Sequence, residues 1–114
     1  MKNRKYIGEL EEVIMLTIGI LDADAYGLAI KKDSATRLAR NVSMGAMHTG
    51  LYRLEDKGYV TSQLGEATSK RGGKPKRFYR VTMLGQQVLH DTMNSRRKLW
   101  GSIPEGVFNL TFSS

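Results

Sequence analysis

The sequence predicts a mainly α-helical chain with one small β-hairpin, in the order helix, helix, helix, hairpin, helix. Three observations predict it. Two helical segments in the first half are separated by a short turn ending at Ser43. Two β-forming runs follow at once and flank a stretch rich in glycine and lysine. Strongly apolar helical segments are then left at either end of this unit, without an evident partner in so short a chain.

Length and composition set the bounds. A chain of 114 residues supports one domain with one core. Eighteen Lys+Arg against eleven Asp+Glu give a net charge of +7. With 40% apolar and 25% charged residues the composition is globular, and the excess positive charge favours a polyanionic partner, nucleic acid ahead of membrane. The absence of cysteine removes disulfides, Cys-ligated zinc and cysteine nucleophiles. The longest apolar stretch, Val13 to Leu21, is far shorter than the ~20 residues a bilayer requires. Lys2, Arg4 and Lys5 precede it, but Glu9, Glu11 and Glu12 intervene and no small-residue cleavage pattern follows. A soluble cytoplasmic protein without a signal peptide is expected.

Residues 9–21 form the first predicted helix. Seven of the nine residues from Val13 to Leu21 are strongly apolar, over most of the helix circumference. Such a helix is expected to pack its own core on one side and a second subunit on the other. Asp22 to Asp24 break it, and Asp24 is the expected N-cap of a second helix over 25–39. Tyr26, Ala29, Ile30 and Leu38 supply the inner face of that helix; Lys31, Lys32 and Arg37 lie outside.

Ser43 is the N-cap expected for a third helix over 44–57, with Gly58 just past its end. Met44, Met47, Leu51 and Leu54 make an apolar stripe at helical spacing. The opposite face carries Gly45, His48, Thr49, Tyr52 and Arg53. Residues 59–66 and 77–82 read as two strands, with Tyr79 and Val81 on one face and Phe78 and Arg80 on the other. From Lys70 to Arg80 there are six basic residues and no acidic one. Thr82 caps a last helix, about 84–100, with Val88, Leu89, Met93 and Trp100 along it. Gly101 and Pro104 end it. Beyond, Phe108, Leu110 and Phe112 alternate with polar residues, as in an extended segment laid on a neighbouring surface.

Two helices joined by a short turn, then a two-stranded wing, make a winged helix-turn-helix. Residues 1–83 form this unit. Residues 84–114 form a C-terminal dimerisation helix and tail, with helices 9–21 and 84–100 pairing two copies.

Catalysis finds no support. The only histidines, His48 and His90, have no partner at metal-ligand spacing, so no metal and no cofactor are expected. Ser43 and His48 are five apart on one helix and do not face each other. Gly72-Gly73 lacks the P-loop spacing. Double-stranded DNA fits better. A helix entering the major groove needs short or polar residues near its start, and Gly45, His48 and Thr49 meet that need. Tyr52 and Arg53, a turn later, suit phosphate oxygens, although Arg53 could equally pair with Glu55 or Asp56. Lys70, Arg71, Lys74, Lys76 and Arg77 on the wing can track phosphates or enter a minor groove. Trp100 is expected to pack in the core or at the dimer interface, or else to stack a flat aromatic small molecule across a dimer cavity. From a different class, a winged-helix protein-interaction module meeting an acidic partner would use the same basic surface.

The segments GELEEVIMLTIGIL, AYGLAIKK, VSMGAMHTGLYRLEDKGYV and GEATSKRGGKPKRFYRVTMLG resemble, in that order, the PadR family of bacterial transcriptional regulators, from about residue 8 to residue 90. The patterns SxGAxxxxLxRLExKG and RGGKxKRxYRVT carry most of the likeness. The chain departs from it at His48, where many members carry tyrosine. The resemblance implies a homodimeric winged-helix DNA-binding protein, usually a repressor of a near-palindromic operator, some members responding to phenolic acids or flat cationic drugs. It implies Ser43, Gly45, His48, Thr49 and Tyr52 as groove-reading positions and Lys70, Arg71, Lys74 and Lys76 as wing contacts. The brief C-terminal part is similar to the short subfamily.

Overall fold

The computed structural model describes residues 7–65 and 75–108. Among these residues four helices and one antiparallel hairpin follow in the predicted order. Helix α1, Glu9–Leu21, opens with three glutamates in its first turn, where negative charge meets the positive end of the helix dipole. The Gly8 N–H donates to the Glu11 carboxylate at 3.3 Å, satisfying one of the donors left over at the helix start. Ile14, Met15, Thr17 and Ile18 are buried, whereas Leu16 and Ile20 are about half exposed. The apolar circumference of α1 thus divides into a core side and an open side.

Helix α2 departs from the expected 25–39 and spans Gly27–Leu38. Asp24 is not its N-cap. Asp22–Asp24 form a 3-10 turn, and Tyr26 stands at the cap position without a side-chain cap bond. The cause is a distant strand. The Tyr79 N–H donates to the Ala25 carbonyl at 2.8 Å, and Tyr26 makes an antiparallel bridge with Phe78. Those two residues are drawn into sheet pairing and cannot begin the helix. Ile30 forms the inner face as expected, joined by Ser34, whose hydroxyl is buried because it donates to the Ile30 carbonyl at 2.7 Å.

Helix α3, Met44–Asp56, starts where the Ser43 hydroxyl accepts from the Ala46 N–H at 3.0 Å. It ends in a Schellman turn: Gly58, at φ 82°, donates to the Glu55 carbonyl, and the Tyr59 N–H donates to the Leu54 carbonyl. Met47, Leu51 and Leu54 are buried in the core, and Gly50 faces the Ile14 side chain of α1. Ser43→Ala removes the cap acceptor and is expected to lower stability by about 1 kcal/mol, read as a lower urea midpoint at unchanged slope. A midpoint equal to the parent's would show that another group caps the helix.

Strand β1, Val60–Leu64, pairs antiparallel with β2, Arg77–Val81, in a register that sets Val60 opposite Val81 and Ser62 opposite Tyr79. Tyr79 and Val81 pack on the core; on the other face Phe78 meets the Tyr26 ring edge-on at 5.7 Å. Helix α4 spans Met83–Gly101, so Gly101 lies inside it and Ser102 caps it. The Thr82 hydroxyl accepts from the Gly85 N–H and donates to the Gly58 carbonyl, fastening the start of α4 to the end of α3. Val88 is buried, but from Met93 onward α4 is exposed. The first turn of α1 reaches three elements through ion pairs: Glu9 with Arg40 at 3.6 Å, Glu11 with Lys57 at 3.1 Å, and Glu12 with Arg96 at 2.9 Å.

Candidate nucleic-acid interface

The sequence-predicted face of α3 comes together in the fold. Ser43, Gly45, His48, Thr49, Tyr52 and Arg53 are all exposed. They line the side of α3 opposite the Met47, Leu51 and Leu54 stripe that holds the helix to the core. Ala46 belongs with them. It is exposed, and its spacing to Thr49 and Arg53 (i, i+3, i+7) is the signal that would have found it. Gly45, Ala46 and Thr49 make the first two turns thin, so the backbone there can come near another surface. Tyr52 and Arg53 project further along, Tyr52 being 71% exposed. Among the described residues Arg53 makes no ion pair. The alternative partner Glu55 is engaged elsewhere: it accepts from the Ser62 hydroxyl at 2.7 Å.

That contact positions the hairpin. Ser62 in turn accepts from the Arg77 guanidinium at 3.0 Å, so Glu55, Ser62 and Arg77 tie α3, β1 and β2 in one chain. The wing therefore leaves the body beside the C-terminal end of α3. Lys76 is also held at its root, its ammonium 4.1 Å from the centre of the Tyr26 ring. Two of the five cations assigned to the wing are thus engaged with the body. Lys70, Arg71 and Lys74 lie outside the described residues. Burial raises the Tyr79 phenol above its ordinary value, reinforced by the Glu55 carboxylate and partly opposed by Arg77. Tyr79 is therefore neutral where it supports the hairpin.

Trp100 is distant from the core. It is 69% exposed on the outer half of α4, and its ring meets Phe108 edge-on at 6.2 Å. It lines a groove of about 480 Å³ between α1 and α4. Its packing in this chain's core, one of the expected readings, is thereby excluded. Leu110 and Phe112 of the expected extended tail lie outside the described residues. Among the described residues no three His, Cys, Asp or Glu side chains cluster at metal-binding distance, and no helix is long and apolar enough to cross a membrane.

Comparison with known proteins gives one coherent result. The PadR-like transcriptional regulator family matches residues 17–91. A PadR-like transcription factor from Bacteroides fragilis has a similar solved structure, with a TM-score of 0.68 and 26% identity over 82% of this chain and 84% of that one. A PadR family regulator from Eggerthella lenta gives 0.63 and 27%, over 82% and 80%. A transcriptional regulator from Clostridium thermocellum, at 20% identity, shares the fold with a TM-score of 0.64 over 90% of this chain and all of that one. Comparison with curated proteins gives no match. The family match spans the end of α1, the helix pair, the hairpin and the inner half of α4, and on this ground the chain belongs to the PadR-like family and is a transcriptional regulator, not an enzyme.

Proposed function

We propose that the chain is a homodimeric, sequence-specific DNA-binding repressor that acts in the cytoplasm. Residues 1–83 form the winged-helix DNA-binding unit and residues 84–114 the dimerisation helix and tail, with α1 joining α4 in the interface. Each protomer presents Ser43, Gly45, His48, Thr49 and Tyr52 to the major groove, with Arg53 on a phosphate. Lys70, Arg71 and Lys74 of the wing grip the flanking backbone, with Lys76 and Arg77 behind them. The observation that carries this reading is the Glu55–Ser62–Arg77 linkage, because it sets the root of a basic hairpin beside a thin, exposed helix face. Dimerisation uses α1 and α4, where Ile20 and Leu99 are 51% and 71% exposed with no covering element among the described residues. Two symmetric half-sites about one helical turn apart (~34 Å) then make a near-palindromic operator. A flat aromatic molecule that stacks on Trp100 releases the DNA, provided it binds the two dimer geometries with unequal affinity.

The test is a binding titration on genomic fragments from the protein's own upstream region. Thr49→Ala and His48→Ala are expected to lower the operator-to-random affinity ratio by roughly tenfold each while leaving random-DNA affinity nearly unchanged, since a good base contact discriminates by ~1–3 kcal/mol. Equal losses on both DNAs would remove base reading from α3. Failure of the parent protein to retain any DNA would favour the protein-interaction module instead.

A further inference from the structure

We propose that α3 recognises thymine by its C5-methyl group, the methyls of Ala46 and Thr49 meeting those of two neighbouring thymines across a gap left by Gly45. This rests on α3 entering the major groove and names what it reads there. Arginine, lysine, asparagine and glutamine tell guanine or adenine by paired hydrogen bonds to one base edge. None of the four occurs from Ser43 to Thr49, the cap and first turns of α3. Of the exposed side chains there, the Ser43 hydroxyl is engaged as the cap, accepting from the Ala46 N–H at 3.0 Å. His48 offers a ring nitrogen to a base edge. What remains is small and apolar: the Ala46 and Thr49 methyls, both on exposed residues. In the major groove only thymine presents a methyl group.

The spacing of the two methyls fits successive base pairs. Three helix residues rise ~4.5 Å and share a face, against ~3.4 Å for one step along a DNA strand. Thr49 also matches the second major-groove mark of thymine, the O4 acceptor. Thr17, Ser34 and Thr36 donate their hydroxyls to the carbonyl four residues before, at 2.7, 2.7 and 3.0 Å. Thr49 makes no such bond among the described residues, so its hydroxyl is free to donate outward. Gly45 supplies the clearance. A Cβ there would meet only the Ser43 hydroxyl oxygen, at 3.9 Å, and Gly45 is not among the glycines with positive φ. Neither packing within the chain nor backbone conformation requires glycine at this place. The space it leaves opens outward, one turn before Thr49 on the same face, where a protruding methyl needs room.

The test uses the full chain and a duplex that it retains from a random-sequence pool. Each thymine of the retained half-site is replaced in turn by deoxyuridine, which keeps the pairing and the O4 acceptor and lacks only the methyl. Two adjacent positions are expected to weaken binding by roughly three- to fivefold each, the contribution of one buried methyl, and the other thymines by less than about twofold. In Thr49→Ser, which keeps the hydroxyl, one of those positions should become indifferent to deoxyuridine while the other still responds. Gly45→Ala should raise the urea midpoint or leave it unaltered, yet weaken binding to the retained duplex by roughly tenfold or more, because the added methyl fills the gap. A parent protein that prefers no sequence would sink the reading of DNA by α3 itself. A parent that holds its selected duplex and is indifferent to every deoxyuridine overturns the methyl reading alone. So would Gly45→Ala with parental affinity, or Thr49→Ser that still responds at both thymines.

Discussion

Replacing Lys70, Arg71, Lys74 and Lys76 together with alanine is expected to weaken binding to every DNA and to flatten its dependence on salt. Each phosphate contact contributes ~0.9 to the slope of log K against log salt. Lys76 sits over the Tyr26 ring at the wing root, so three of the four are counted as backbone contacts. The slope should therefore fall by about 2–3 per protomer. Near 0.1 M salt the affinity should drop by roughly 10²–10³-fold, with operator and random DNA losing alike. Lys76→Ala alone separates the roles: it should leave the slope almost unchanged and instead loosen the contact between hairpin and α2. A quadruple variant that keeps the parental slope would show that the wing does not touch phosphate, and the basic hairpin would need another explanation. Folding of the variant is checked by circular dichroism.

Gly85→Ala is expected to be the most damaging glycine-to-alanine change among the described residues. A Cβ at this position would overlap the Tyr59 carbonyl oxygen, and would stand 2.8 Å from Val81 Cγ1 and 3.0 Å from Met15 Cε. The Tyr59 carbonyl cannot give way cheaply, because it accepts from the Thr82 N–H and follows directly on the Schellman turn of α3. The backbone of α4 has to move instead, at a cost of about 2–4 kcal/mol. Gly50→Ala is the matched comparison. Its Cβ would meet only the end of the Ile14 side chain, at 2.6 Å, which a rotamer change can relieve. Alanine also favours helix over glycine by about 1 kcal/mol, so the net effect there should be within ~1 kcal/mol of zero. Urea denaturation of both variants gives the difference. If Gly85→Ala were as stable as Gly50→Ala, α4 would not be docked on Tyr59 as described. A displaced α4 also alters the angle between the reading unit and the dimerising helix, so Gly85→Ala should lose operator affinity more than random-DNA affinity.

Elements whose ends are made by neighbours in the chain were legible from the residues. Helix α3 is the clearest case: Ser43 and Gly58 enclose it, and both bonds that end it are made within five residues. The same holds for α1 and for the Thr82 start of α4. The reading face of α3 follows at once, since a fixed period and one buried stripe leave one side free. The family patterns lie in these same locally specified segments. Where a distant segment competes, the local signal fails. Asp24 is a sound N-cap by type, yet Phe78 and Tyr79, more than fifty positions on, take Ala25 and Tyr26 into sheet pairing. A charge run likewise gives no sign that Lys76 will rest on an aromatic ring or Arg77 on Ser62.

Residue order alone therefore settled the element types, the cap of α3, its outward face and the excess of positive charge, because each follows from bonds or periodicity within a few residues. Contacts across the fold settled the rest. They shortened α2, closed the approach at Gly85, tied the wing to α3 through Glu55 and left Trp100 outside the core, lining a groove. Such contacts join residues whose separation along the chain carries no record of their nearness in space, and they exist only once the helices have packed.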